Sequence, residues 1–166
     1  MSRNRVIGRG GGLPWRKPAD MQRFKRRTMG HAVIMGRRTW ASMNGPLSGR
    51  SNIVLTRDAG FAANGAIVVR SLDEALSAAR QAQPDSDEVF IVGGADIYRL
   101  VLPRASRIDL TLIDAVIADG DTFFPEFEED GTWRLVNEER HPADARNPHA
   151  FAFQEYERVS ADPIAR

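Results

Sequence analysis

The sequence predicts an α/β domain with a mainly parallel sheet and an antiparallel edge strand at its C-terminal end. Three observations carry this. Four short apolar, largely β-branched runs alternate with helical segments over residues 31–102. Three strand-like runs follow with no helix between them, the last two reading as a hairpin. At 166 residues the chain suits one domain, which buries about two-thirds of its unfolded surface on folding.

The elements follow in order. Residues 8–28 (GRGGGLPWRKPADMQRFKRRT) give a glycine-rich loop, a Leu13-Pro14-Trp15 corner and an amphipathic helix whose apolar side is Met21, Phe24, Thr28 and Met29. Residues 31–35 (HAVIM), 52–56 (NIVLT), 66–69 (AIVV) and 89–92 (VFIV) read as strands, near-continuous in apolar character and so expected to be buried on both faces. Residues 36–43 read as a short helix. Residues 71–82 form a better one, with a capping box at Ser71-Leu72-Asp73-Glu74 and a stripe of Leu72, Ala75, Leu76 and Ala79. A third helix over 95–102 is stopped by Pro103. Residues 108–113, 133–140 and 151–158 complete the strands, and 160–166 read as a frayed tail.

Composition narrows the function. There is no cysteine, hence no disulfide, thiol nucleophile or thiolate metal site. No apolar run approaches the roughly 18 residues of a membrane helix, and no secretory signal follows Met1, so a cytoplasmic address with no membrane partner is expected. Net charge is +1, but basic residues crowd the first third while Glu126, Glu128, Glu129 and Asp130 collect later. That asymmetry suits an anionic small molecule or a nucleic acid, and a solvated helix face explains much of it equally well. His31, His141 and His149 show no metal-ligand spacing, and no serine lies in a nucleophile elbow, so neither metal nor covalent catalysis is expected.

Asp20 is a first-turn acid, which the helix dipole favours. It also lies one turn before Phe24 on the apolar side, where an unpaired carboxylate is costly, and that makes it a site candidate. Two strand-to-helix turns look built for phosphate: Met35-Gly36-Arg37-Arg38-Thr39-Trp40 and Val92-Gly93-Gly94-Ala95-Asp96-Ile97-Tyr98. Each alone also fits a plain tight connection; two on parallel strands suggest a dinucleotide lying across the strand ends. Thr56-Arg57 ends another strand, and Arg57 suits a 2′-phosphate or simple solvation. Arg50 follows the proline- and glycine-bearing loop 44–49, where a guanidinium can grip a carboxylate or merely meet water.

Taken in order, these segments resemble dihydrofolate reductase from Asn4 to about Glu157. The likeness is carried by Asn4-Arg5-Val6-Ile7-Gly8, Leu13-Pro14-Trp15, Pro18-Ala19-Asp20, Phe24-Lys25, Val33-Ile34-Met35-Gly36-Arg37, Thr39-Trp40, Pro46-Leu47, Gly49-Arg50, Asn52-Ile53, Val92-Gly93-Gly94, Ile97-Tyr98, Leu110-Thr111 and Gly120-Asp121-Thr122-Phe123-Phe124-Pro125. The resemblance implies a three-layer α/β/α fold over residues 1–159 and NADPH-dependent reduction of 7,8-dihydrofolate, with hydride passing to C6 and a solvent proton to N5. It makes Asp20 the pterin-binding acid, with Thr111 supporting it and Trp15 holding a water nearby. Met21, Phe24, Met43 and Leu47 wall the substrate, and Arg50 takes its glutamate α-carboxylate. Gly36, Arg37, Arg38, Thr39 and Thr56 take the cofactor phosphates, Arg57 favours NADPH over NADH, and Gly93-Gly94 is a cis turn beside the pyrophosphate, continued by Ala95, Asp96 and Ile97. Tyr98, the Val92 carbonyl, Ile7 and Gly8 border the nicotinamide under a mobile loop ending at Leu13. Antifolate inhibitors are expected ligands, a monomer is expected, and nucleic acid is not.

The chain departs from the family pattern at three places. Asn44-Gly45-Pro46-Leu47-Ser48-Gly49 replaces a more frequent G-R-P-L-P-G. The stretch 114–121 is one residue longer than in some bacterial members. Family members also carry a hydrophobic strand before Asn4, and this chain starts at Met1-Ser2-Arg3. Met1 is therefore expected to be an internal residue of a longer natural protein, and restoring the upstream strand is expected to raise stability and activity. Two competing readings are a pyrimidine reductase of riboflavin synthesis with the same fold and an inactive truncated binding or regulatory protein. The pterin-site residues Leu13-Pro14-Trp15 and Asp20 disfavour the first. The lack of an aromatic RNA-binding pair or an extended basic run disfavours an RNA-binding form of the second.

Overall fold

A computed structural model describes residues 1–15, 17–127 and 131–159. Arg16, the acids Glu128, Glu129 and Asp130, and the tail 160–166 lie outside the described residues. The chain forms two compact units, one of residues 19–101 and one of residues 1–18 and 102–166.

In chain order the elements are β1 (Val6–Gly8), α1 (Pro18–Thr28), β2 (Ala32–Gly36), α2 (Arg37–Ala41), β3 (Ser51–Leu55), β4 (Ile67–Val69), α3 (Leu72–Ala82), β5 (Val89–Ile91) and α4 (Ala95–Val101). A short 3₁₀ turn, Leu102–Arg104, holds Pro103, and β6 (Arg107–Ile113), β7 (Thr122–Phe123), β8 (Trp133–His141) and β9 (Phe151–Arg158) follow. Among the described residues no helix is long and apolar enough to cross a membrane.

The unit of residues 19–101 holds a four-stranded parallel sheet in the order β4-β3-β2-β5. Alternation along the two central strands sends side chains to both faces. Ala32, Ile34, Ile53 and Leu55 pack with Val69, Ala75 and Ala79, whereas Val33, Met35 and Val54 pack with Trp40, Met43, Leu47, Phe61 and Phe90. Burial on both faces holds for β2 and β3 only. β4 and β5 are edge strands: Ile67 is 44% exposed and β5 is half-buried throughout.

α3 forms as its capping signal predicts: Ser71 Oγ accepts the Glu74 N–H at 3.2 Å, and Leu72, Ala75 and Ala79 are buried. The Glu74 carboxylate reaches back one residue further than in the standard box, to the Arg70 N–H at 2.8 Å. α2 is shorter than its sequence suggests, five residues with no side-chain cap at Gly36, and gives way to a turn at Ser42.

The other unit holds an antiparallel sheet, β6-β9-β8, with the C-terminal β9 between the other two strands. Its interior includes an aromatic group in which Phe127 meets Phe124, Trp133 and Tyr156 edge to face. The buried Lys17 lays its ammonium over the Phe151 ring and donates to the His149 carbonyl. A separate ribbon pairs β1 with β7. The first residues extend beside β6: Ser2 bridges Ile113 in parallel, and the Met1 ammonium donates to the Thr111 carbonyl at 2.6 Å.

Candidate functional site

In the unit of residues 19–101, all four parallel strands end on the same side, and the candidate phosphate residues follow those ends directly. Gly36 closes β2 and leads into Arg37, Arg38 and Thr39; Thr56 and Arg57 follow β3; Val92, Gly93 and Gly94 follow β5. The two glycine turns meet. The Gly36 N–H donates to the Gly93 carbonyl at 2.7 Å, and a Cβ on Gly94 would stand 3.4 Å from the Thr39 hydroxyl. The Gly93–Gly94 peptide is cis, as the resemblance implies. Gly93 has a φ of +105°, and a Cβ there would meet the Tyr98 ring and hydroxyl at 3.1 Å, so the turn needs glycine on two counts.

The Gly94 carbonyl in turn accepts the N–H groups of Ile97 and Tyr98, both at 2.9 Å. Ala95 and Asp96 start α4, with Asp96 in an exposed ion pair with Arg99 at 3.0 Å. Both helices that open from these turns are short, five residues for α2 and seven for α4. A dipole summed over so few peptides is small, so the positive potential here comes mainly from guanidinium groups. Arg37 donates to Asp58 at 2.9 Å, Arg38 is exposed, and the buried Thr56 hydroxyl accepts the Asp58 N–H.

Asp20 lies in the first turn of α1, half-buried, beside Met21, which is 54% exposed, and one turn before the half-buried Phe24. Its charge reaches Tyr98. Burial first, and the Asp20 carboxylate second, push the Tyr98 phenol up to about 12, so Tyr98 is a neutral hydroxyl at physiological pH. Arg50 has Nε on the Ser48 carbonyl at 3.1 Å and a terminal nitrogen on Thr28 Oγ1 at 3.2 Å. It lines an open cleft of about 370 Å³ with Ser51, Asn52, Gly65, Ala66 and Ile67, at the opposite strand ends from the glycine turns. Burial lowers its pKa, but a guanidinium stays charged at any working pH. Met43 and Leu47 pack partly buried against Val33, Met35 and Val54.

Two supporting residues escape sequence reasoning. The buried Asn52 exchanges both amide hydrogen bonds with the Leu47 backbone, at 2.9 and 3.0 Å, and donates to the Arg50 carbonyl, fixing the loop that carries both site candidates. Arg70, directly after β4, donates to the Thr56 and Ala59 carbonyls and so holds the loop that carries Arg57. The motif Asn52-Ile53 gave some signal for the first; nothing in spacing marked the second.

In the other unit the glycine-rich loop is a tight hairpin. Arg9 and Gly12 exchange backbone hydrogen bonds across Gly10 and Gly11, whose φ values of +56° and +80° fit a type I′ turn. Asp121 holds the first arm of the hairpin: its N–H donates to the Gly8 carbonyl, and its carboxylate accepts the Gly10 N–H at 2.7 Å. Arg9 pairs with Asp119 at 2.9 Å. Leu13 beyond the hairpin is 58% exposed, Trp15 and Ile7 are half-buried, and Thr111 lies on β6 opposite Phe153.

Arginines, hydroxyls and glycine backbone follow the carboxyl ends of the parallel strands of an α/β protein. A family model described as dihydrofolate reductase matches residues 1–158. The type 3 dihydrofolate reductase of Salmonella typhimurium is 42% identical over 92% of this chain and 91% of that relative. The dihydrofolate reductase of Bacillus subtilis is 39% identical over 97% of this chain and 92% of its own length. A solved structure of Enterococcus faecalis dihydrofolate reductase complexed with NADP(H) and RAB-propyl superimposes with a TM-score of 0.85. It is 31% identical and covers 95% of this chain and 92% of that one. The chain belongs to the dihydrofolate reductase family, whose members are oxidoreductases.

Proposed function

We propose that this chain reduces 7,8-dihydrofolate to 5,6,7,8-tetrahydrofolate with NADPH, as a cytoplasmic monomer whose residues 1–159 form one domain of the family. The observation that carries the reading is the meeting of the Gly36–Thr39 turn with the cis Gly93–Gly94 turn. The glycines let the two turns close, with Ile97 against Gly36 and Tyr98 against Gly93, and Arg37, Arg38 and Arg57 follow the same strand ends. Such donors fit a cofactor pyrophosphate and 2′-phosphate. NADPH, when bound, supplies the hydride that reduces C6, while N5 takes a proton from solvent.

The chain's own residues bind, orient and polarise. Arg37, Arg38 and Thr39 hold phosphate, and Arg57 takes the 2′-phosphate that separates NADPH from NADH. Asp20 grips the pterin 2-amino group and N3 through a charge-assisted pair, fixing the ring and favouring the charge that develops on it. Tyr98, held neutral, offers a hydroxyl rather than a phenolate beside that acid. Met21 and Phe24 cover the ring, and Arg50 takes the substrate carboxylate. Roles for Ile7, Gly8, Leu13, Trp15 and Thr111 rest on the family likeness alone.

The test follows NADPH absorbance with dihydrofolate, with and without an antifolate. NADPH loss that requires dihydrofolate and stops with the antifolate is the expected result. Loss only with the pyrimidine substrate of riboflavin synthesis, or no loss at all, overturns the proposal. Asp20→Asn is expected to keep NADPH binding and lose roughly 10²-fold in kcat at neutral pH. An unchanged kcat removes Asp20 from its role.

A further inference from the structure

We propose that Met29 is a redox-sensitive modification site: hydrogen peroxide converts its thioether to the sulfoxide and so loosens the loop that presents Arg50. The proposal rests on the reading above that Arg50 takes the substrate carboxylate.

Residues 28–30, where α1 ends, hold residues 49–50 at three successive points. The Arg50 guanidinium donates to Thr28 Oγ1 at 3.2 Å, and the Gly30 N–H donates to the Gly49 carbonyl at 2.9 Å. Between them Met29 lays its thioether on Gly49, where an added Cβ would stand 2.6 Å from Sδ and 3.7 Å from Cε. Gly49 has a φ of +73°, so conformation and space both call for glycine, and the sulfur fills the room that glycine leaves. The flanking holds are themselves aimed. Thr28 Oγ1 donates to the Phe24 carbonyl at 2.8 Å, and Arg50 Nε donates to the Ser48 carbonyl.

The methionines differ in access. Met35 has no exposed surface, Met1 and Met43 are half-buried, and Met21 and Met29 are 54% and 40% exposed. A small oxidant therefore reaches Met29 from solvent. A sulfur lone pair attacks one peroxide oxygen, the S–O bond forms and the O–O bond breaks. The departing hydroxide takes the remaining hydroxyl proton and leaves as water. The thioether gives up two electrons and the peroxide gains them. Turned inward, the new oxygen overfills the contact with Gly49; turned to water, it draws the sulfur off Gly49. In both orientations the loop loses the middle of its three holds, directly before Arg50.

The test treats the full chain and Met29→Leu with hydrogen peroxide, locates added oxygen by peptide mass mapping, and measures ligand affinity by calorimetry. Leucine keeps an apolar side chain of similar volume on Gly49 but has no sulfur to oxidise. The two probes are methotrexate, whose glutamate tail carries the carboxylate, and trimethoprim, which has no such tail. Met29 is expected to gain one oxygen. Methotrexate should then bind about tenfold more weakly, the effect of one lost charge-assisted hydrogen bond, while trimethoprim binds as before. Methionine sulfoxide reductase should restore the affinity, and treated Met29→Leu should keep it throughout. Three results overturn the proposal: Met29 left unoxidised while Met21 is converted, an equal loss for both probes, or the same methotrexate loss in treated Met29→Leu. Untreated Arg50→Ala separates the two readings. Full methotrexate affinity in that variant overturns the carboxylate role of Arg50 instead.

Discussion

Replacing Asp20 by asparagine tests whether its charge and the Tyr98 phenol share one environment, and the structure sets the size of the answer. The phenol is raised from 10.0 to about 12, a preference for the neutral form. Burial is the larger cause and the Asp20 charge the smaller. The charge therefore accounts for the smaller part of the shift. Tyr98 is half-buried, and solvent at its edge weakens the coupling. Asp20→Asn should move the Tyr98 midpoint down by less than half of its rise above 10.0. Phenolate absorbance reads this directly, because Tyr98 and Tyr156 are the only tyrosines and Tyr98→Phe removes the step in question. Far-UV circular dichroism over the same range separates ionisation from unfolding. A midpoint that does not move would refute the coupling; a fall of two full units would refute the ranking of burial over charge. The stability consequence has a definite sign. A raised folded-state pKa contributes stability that is complete below about pH 10 and is lost as pH climbs towards 12. The wild type should therefore lose stability across that window, and Tyr98→Phe should lose less.

Two further expectations concern the other unit. Gly120→Ala would set a Cβ 2.4 Å from both Val6 γ-carbons, and Val6 has no exposed surface into which to move. Overpacking of this kind costs about 1–3 kcal/mol, so urea denaturation should register at least ~1 kcal/mol, and a loss under ~0.5 kcal/mol would contradict the packing. The Gly10 N–H first, then the Thr122 hydroxyl, hold the Asp121 carboxyl below its usual range. That depressed value makes the contact complete above an unfolded pKa near 3.9 and lost as pH falls through the lower folded value. Protection of the Gly10 amide from hydrogen exchange should fall in acid, and Asp121→Asn should remove that dependence.

The parts of the fold that were legible in sequence are those where one local pattern has one meaning. β2 and β3 are central parallel strands, apolar on both faces, and the runs 31–35 and 52–56 read as such, one residue off the observed bounds. α3 announced itself through Ser71 and Glu74. β4 and β5 carry the same apolar runs yet are half-open, because whether a strand is central or at an edge depends on partners distant in sequence. β1 and β7 were not foreseen at all. With three and two residues they have no periodicity to read, and they exist because Val6 and Gly8 find Phe123 and Thr122 more than a hundred positions away.

The site divides along a similar line. Gly36, Arg37, Arg38, Thr39, Gly93 and Gly94 were legible because residue type and position at a strand end together suggest a task. The structure shifts the weight within that task from helix dipoles to side-chain cations, since α2 and α4 are too short to contribute much. Asp58 and Arg70 were illegible, and Asn52 nearly so, for a different reason. Each works mainly through main-chain amides or carbonyls of a loop, and the main chain is the same at every position. In sequence, Arg70-Ser71-Leu72-Asp73-Glu74 is only a capped helix start; in space its first residue reaches back eleven positions to Ala59. A group that contacts a ligand is constrained by the ligand's chemistry and so leaves a mark in residue type. A group that holds a loop is constrained by distance alone, and distance is what folding supplies.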